Sequence, residues 1–148
     1  MATATNQSVL VMGVGGIGCP ALLHLASSGV PVIGLADHDV VQVSNLHRQL
    51  LFTEQDLGMR KVERAAVALS RLPGAASVRF FTHDQVVRGD EEFLDRYDII
   101  IEAVDRADAK LVLHDAIVRR GITLVHAGAS GWEAQGLTIR GPGCLLCL

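Results

Sequence analysis

The segment Gly13-Val14-Gly15-Gly16-Ile17-Gly18 holds a Gly-x-Gly-x-x-Gly spacing through Gly13, Gly15 and Gly18. Glycine at these places allows a tight turn, lets backbone approach a phosphate, and lets a strand and a helix pack closely. A helix opening at this point would add unpaired N–H groups and the positive end of its dipole. Asp37 follows Gly13 by 24 residues. That position suits a carboxylate accepting from ribose hydroxyls. Loop and acid together indicate a nucleotide site, and they leave NAD and ATP both open. A tight strand–helix turn with no ligand is the competing reading of the loop alone.

More polar chemistry follows. Asp37-His38-Asp39 leads through Val40-Val41 to Ser44-Asn45-Leu46-His47-Arg48-Gln49, and then to Gly58-Met59-Arg60-Lys61. Asn45, Arg48, Gln49 and Lys61 supply amide and cationic donors. Arg48 and Lys61 can neutralise a triphosphate, the arginine in a bidentate manner and the lysine as a point charge. Asp37, Asp39 and Asp105 are acids at or just after predicted strand ends, and one could hold Mg²⁺ together with phosphate oxygens. Each has a plainer reading as well. Asp37 and Asp39 suit an ordinary turn, Arg48 and Lys61 suit a solvated surface, and Asp105 suits a helix N-cap. Cys19, beside the glycine loop, is expected to pack within a helix. His38, His47, His83, His114 and His126 show no metal-ligand spacing, and His24 reads as a helix-face residue.

These residues need elements to place them. Ser8–Met12 is an apolar run ending at glycine, which predicts a strand buried on both faces. Ile17–Ser28 predicts a helix with Pro20 in its first turn and Gly29 as its stop. Val32–Ala36 predicts a second strand. Val40–Gly58 is polar and irregular, with room for one short helical turn. Met59–Leu72 has Val62, Ala65, Ala66 and Leu69 at helical spacing, ended by Pro73-Gly74. Ser77–Phe81 predicts a third strand, Glu91–Asp95 a short helix and Asp98–Ala103 a fourth strand. Ala107–Arg120 predicts a helix with Leu111, Ile117 and Val118 inward. Ile122–Ala127 and Glu133–Arg140 predict two more strands around a turn at Ser130-Gly131. Strands alternating with helices imply an α/β fold with a doubly wound, mostly parallel sheet.

Composition narrows the function classes. The chain has 148 residues, 13 basic and 16 acidic, for a net charge of −3. That length predicts a single domain. The negative balance argues against nucleic-acid binding through a general positive field. Six aromatic residues (one Trp, one Tyr, four Phe) make single-strand stacking platforms unexpected. No charged residue occurs from Met1 to Ala36. The glycines and prolines in that stretch interrupt any membrane span, and no basic segment marks a signal peptide. Cys19, Cys144 and Cys147 are an odd count with one close pair, not a disulfide framework. The expected compartment is the cytoplasm.

The chain resembles the ThiF/MoeB/HesA family, which is related to ubiquitin-activating enzymes. The likeness runs in register through Gly13–Gly18, Leu35–Asp39, Ser44–Gln49, Gly58–Lys61, Asp98–Asp105 and Cys144–Cys147. It implies a Rossmann-like nucleotide-binding domain that adenylates the C-terminal glycine of a ubiquitin-like sulfur-carrier protein with Mg·ATP. By the same resemblance, Gly13, Gly15, Gly16 and Gly18 would lie under the nucleotide phosphates. Asp37 would hold the ribose, with Asp39 beside it. Ser44, Asn45, Arg48, Gln49 and Lys61 would line the triphosphate, and Asp105 would bind or orient Mg²⁺. Arg48, Lys61 and Asp105 are the expected catalytic set. The partner would be the carrier protein, with a homodimer or a paralogous chain beside it.

The likeness also has gaps. Cys144-Leu-Leu-Cys147 is one Cys-x-x-Cys, half of the family's Cys₄ zinc site. The family's usual Thr-Asp-Asn is Val104-Asp105-Arg106 here. Met1–Ser8 lacks the arginine that family members send to a partner's ATP site. The expectation is therefore a nucleotide-binding domain over residues 1–148, cut short after the first Cys-x-x-Cys. A non-catalytic, nucleotide-binding scaffold subunit is the alternative, and an NAD-dependent oxidoreductase a minor one.

Overall fold

The computed structural model describes residues 6–105 and 107–141. Among them, six strands and three α-helices follow in the order β1 (Ser8–Met12), α1 (Gly18–Ser27), β2 (Val32–Ala36), α2 (Lys61–Ser70), β3 (Arg79–His83), β4 (Ile99–Glu102), α3 (Ala107–Arg119), β5 (Thr123–Ser130) and β6 (Glu133–Ile139). The strands form one sheet in the order β3-β2-β1-β4-β5-β6. All neighbours are parallel except the β5–β6 hairpin. The chain thus starts in the middle of the sheet, winds outward to β3, and returns across β1 to β4. This is the doubly wound, Rossmann-like order, and it opens a crevice at the carboxyl ends of β1 and β4. The expected fold class holds.

Side-chain alternation explains the two layers. On β1, Val11 enters one core with Leu22 and Ala26 of α1 and Val62, Ala65 and Leu69 of α2. Leu10 and Met12 enter the opposite core with Ile100 of β4, Leu113 and Ile117 of α3, and Leu124 of β5. A strand in this position must be apolar on both faces. Burying each such side chain contributes about 1.5–3 kcal/mol relative to exposure. The central strand therefore gives the loop that follows it a rigid base. Among the described residues no helix is long and apolar enough to cross a membrane.

Several expectations shift. Strand β3 begins two residues later than predicted and runs on to His83. Pro73–Ala75 forms a short helical turn instead, Ala75 is buried, and the ladder starts where the Arg79 N–H donates to Pro31 O. As an edge strand with mostly exposed residues, β3 carries a weak hydrophobic pattern. On α3, Ile117 is fully buried and Val118 packs partly, but Leu111 is 42% exposed. The inward positions are Leu113, His114 and Ile117. Strand β5 extends to Ser130 because the hairpin with β6 pairs Ser130 with Glu133.

Candidate nucleotide site

The glycine loop joins β1 to α1 by a turn that only glycine fits. Gly13 has φ of +91°, and a Cβ there would lie 2.7 Å from Ala103 O. A Cβ on Gly18 would overlap the Gly13 carbonyl oxygen. These two glycines let the helix start directly against the strand. Gly15 differs, since a Cβ there meets nothing within 4 Å. Its exposed face is open space at the helix N-terminus. No side chain caps α1. The Cys19 N–H donates to Gly15 O and Pro20 has no N–H, so Gly18 and the loop before it carry the N–H groups that face this opening. That combination is an anion cradle.

Arg48 lies over this cradle. Its Cδ would be 3.3 Å from a Cβ on Gly16. The guanidinium is held by Asn45 Oδ1, which accepts from Nη2 at 2.9 Å, and by Ser44 O, which accepts from Nη1 at 3.3 Å. A short helical turn at Val43–Asn45 makes this possible. It continues with the Arg48 and Gln49 N–H groups donating to Asn45 O. Leu51 and Phe52 then anchor the segment in the core. A second short turn, Glu54–Asp56, carries a capping box between Thr53 and Asp56. The irregular segment thus holds two short turns where one was expected.

Lys61 reaches the same region from α2. Val40 and Arg60 form an antiparallel bridge, and the Lys61 N–H donates to Asp39 O. The Lys61 side chain is 5% exposed, with Nζ 2.9 Å from Asp39 Oδ2 and 4.0 Å from Asp37 Oδ2. A buried cation at a helix N-terminus opposes the dipole, and the two carboxylates offset this. Partial burial alone would raise the Asp39 pKa. The Lys61 hydrogen bond and charge, with His38 nearby, instead hold it below the usual carboxylate value. Lys61, expected to reach the phosphates, is thus held by both acids beside the glycine loop.

Asp37 is also engaged. Its Oδ2 accepts the Val14 N–H at 2.7 Å, and its Oδ1 accepts the Asp39 N–H at 2.8 Å. Gln49, expected to line the triphosphate, is buried, and its Oε1 has no hydrogen-bond partner. An orphaned amide oxygen in a buried place favours a ligand or water that can reach it. Ser44 is exposed and offers its carbonyl to Arg48. Asp105 is exposed, just past the β4 turn whose Ala103 abuts Gly13. Asp37, His38 and Asp39 bring three possible ligand atoms within 4.8 Å of one another, which the sequence spacing did not suggest. Cys19 is buried, and burial pushes its thiol up to about 11, so it packs as expected. Cys144 and Cys147 lie outside the described residues.

One cluster escaped the sequence analysis. Glu102, at the end of β4, and His126, in the middle of β5, are buried side by side, with Lys110 beside Glu102. The signal available was a glutamate closing the apolar run Ile99–Glu102.

A Rossmann-like α/β domain with a glycine-loop crevice is the class these features define. The chain belongs to the ThiF family, whose model matches residues 1–148. It is 40% identical over 146 residues to the "Adenylyltransferase and sulfurtransferase MOCS3" of Arabidopsis thaliana, covering 97% of this chain and 31% of that protein. The protein of the same name from Culex quinquefasciatus is 42% identical over 149 residues, covering 97% of this chain and 33% of that one. The solved structure of E. coli MccB with ATP superposes with a TM-score of 0.85 at 26% identity, covering 97% of this chain and 45% of that chain. The chain thus spans about a third of the length of the curated relatives it matches. Nothing in these likenesses supports the oxidoreductase alternative.

Proposed function

We propose that this domain binds Mg·ATP in the β1–β4 crevice and adenylates the C-terminal carboxylate of a ubiquitin-like sulfur-carrier protein. The observation that carries the reading is the seating of Arg48 over Gly16, beside the open face of Gly15 and the uncapped start of α1. This arrangement suits a triphosphate, with backbone N–H groups below and a bidentate cation above. The family and its relatives' names support the reaction class.

In this reading Asp37 accepts from the ribose hydroxyls with the lone pairs that Val14 and Asp39 leave free. Asn45 holds the Arg48 fork in place, and Arg48 neutralises phosphate oxygens. Lys61 turns from Asp39 toward the phosphates once they arrive. The carrier carboxylate attacks the α-phosphorus in line, the bond to the bridging oxygen breaks, and pyrophosphate leaves. No side-chain nucleophile is needed. The enzyme supplies alignment and charge neutralisation.

The exposed Asp105 carboxylate is a hard oxygen donor and fits Mg²⁺, which takes one or two carboxylates together with phosphate oxygens. The bound cation would supply further neutralisation of the triphosphate. Cys144 and Cys147 are two thiolates, half of a tetrahedral zinc site, and no step is assigned to them. The expected setting is cytoplasmic, with a second copy or a paralogous chain as partner.

Calorimetric titration with Mg·ATP, with NAD as comparison, tests the site. Mg·ATP binding without NAD binding is the expected result, followed by pyrophosphate exchange with the carrier present. Mg·ATP binding without exchange would favour the scaffold reading. Absence of Mg·ATP binding would overturn the proposal.

A further inference from the structure

Glu102 closes β4 with a side chain only 2% exposed. The parallel register sets it directly beside His126 on β5. Two residues earlier on the same face, Ile100 faces Leu124, so the cluster caps the layer under α3 that Leu113, His114 and Ile117 enter. Oε2 lies 2.6 Å from His126 Nδ1. A carboxylate oxygen accepts, so Nδ1 is the donor. Oε1 accepts the Val104 N–H at 3.1 Å, and Lys110 Nζ on α3 stands 3.8 Å from it. Strand β5, helix α3 and the turn after β4 therefore all meet at one buried carboxylate.

A buried carboxylate is costly unless it is paired and hydrogen-bonded. An apolar residue could fill the same place in this layer. What the glutamate adds is its hold on the turn. Val104 N–H is fixed to Oε1, and the Ala103 N–H donates to Met12 O at 2.8 Å. Ala103 O is the atom that a Gly13 Cβ would approach to 2.7 Å. The turn is thus clamped between the glycine loop on one side and Glu102 on the other. Asp105 is the next residue after Val104.

We propose that Glu102, oriented by His126 and Lys110, is a positioning residue that fixes the Ala103–Asp105 turn against the glycine loop. Through that turn it sets where the Asp105 carboxylate meets the metal-bound nucleotide. This rests on the Mg·ATP reading above. Glu102 itself touches no substrate. The arrangement parallels the outer-shell contacts that orient metal ligands elsewhere, whose loss costs about 10–100-fold in metal affinity.

The test compares ATP affinity with Mg²⁺ and with chelator present, in the full chain, for Glu102→Gln, His126→Leu and His126→Asn. Folding of each variant is checked by circular dichroism. Glu102→Gln and His126→Leu are expected to weaken Mg·ATP binding about tenfold and leave metal-free ATP binding nearly unchanged. His126→Asn keeps a donor near the Nδ1 position and is expected to recover most of the loss. On an Asp105→Ala background, Glu102→Gln should cost nothing further, because both act through one carboxylate. Equal losses with and without Mg²⁺, or full additivity with Asp105→Ala, would overturn the proposal and leave a general structural role. Wild-type Mg·ATP affinity in folded Glu102→Gln and His126→Leu would overturn it too. If the unaltered chain itself does not bind Mg·ATP, the functional reading fails first and this inference falls with it. Should His126→Leu not fold, the Glu102→Gln and Asp105→Ala cycle decides alone.

Discussion

Asp37 Oδ2 accepts the Val14 N–H at 2.7 Å, so the carboxylate at the end of β2 holds the glycine loop after β1. The same carboxylate holds the Asp39 N–H through Oδ1. Asp37 therefore has a structural task before any nucleotide arrives. Asp37→Ala leaves two N–H groups without this acceptor, and losing a hydrogen bond to a charged group costs about 1.5–3 kcal/mol. The variant should show a lower urea midpoint and weaker Mg·ATP binding by calorimetry. Asp37→Asn keeps one acceptor oxygen and should recover part of the stability but less of the affinity. Unchanged affinity in the alanine variant would remove Asp37 from the site.

The Lys61 pairing with Asp39 and Asp37 gives a second prediction. Lys61→Ala leaves the two carboxylates facing each other without their cation. Breaking a fully buried pair costs about 3–5 kcal/mol. Asp39 is 53% exposed on its side chain, so solvent screens the loss, and about 1–2 kcal/mol is expected. Mg·ATP affinity should fall more than stability does, because two uncompensated acids would then repel the triphosphate. Lys61→Ala combined with Asp39→Ala should regain stability without regaining affinity. Recovery of both would mean that Lys61 serves only its ion pair.

The glycines separate by what surrounds them. Gly18→Ala forces a Cβ into the Gly13 carbonyl, which is backbone and cannot step aside. Overpacking of this kind costs about 1–3 kcal/mol or more. Gly15→Ala meets open space and should leave the melting temperature nearly unchanged. It should still weaken ATP binding, since the methyl group would occupy the face a phosphate approaches. A Gly15→Ala variant that binds ATP as well as the unaltered chain would place the phosphates elsewhere.

The fold was largely legible because its central strands are apolar on both faces. β1 and β2 have the predicted limits. β3 was misplaced because an edge strand is exposed and its pattern is weak. Leu111 was misassigned because helical spacing gives a face without saying which of several apolar residues lies at its centre. The candidate site residues were singled out by type and spacing, but their partners were not. Sequence could not show that Lys61 is paired with Asp39, because that depends on how Val40-Val41 pairs with Met59-Arg60, nor that Gln49 is buried, because that depends on the turn from Asn45 to the anchored Phe52. Glu102 and His126 were missed for a similar reason. They lie 24 residues apart in the chain and meet only through parallel register.

Acid sensitivity follows from the carboxylates that hold turns and loops. Ser8 donates from its backbone and hydroxyl to Asp98 and lowers its pKa. Burial would raise Asp56, but Thr53 and Arg64 outweigh it and bring it down. Asp39 is lowered by Lys61 against the opposing effect of burial. A folded-state pKa below the unfolded value of 3.8 means that the stabilisation is complete above that value. It is lost as pH falls through the folded values. His83 adds a separate, milder window. Burial, then Arg96, lowers its pKa below the ordinary 6.5, while its ring stacks 3.8 Å from Phe93 and meets the Tyr97 hydroxyl at 2.9 Å. The unfolded chain then binds the proton more readily, so stability falls as pH drops from about 6.5 toward the folded value. Urea midpoints measured from pH 8 to pH 3 should therefore show a shallow decline below about 6.5 and a steeper one below about 4. His83→Phe should abolish the shallow step and leave the steep one. Asp98→Asn should reduce the steep one and leave the shallow step intact. A single transition unaffected by either substitution would mean that these groups do not set the acid limit of the fold.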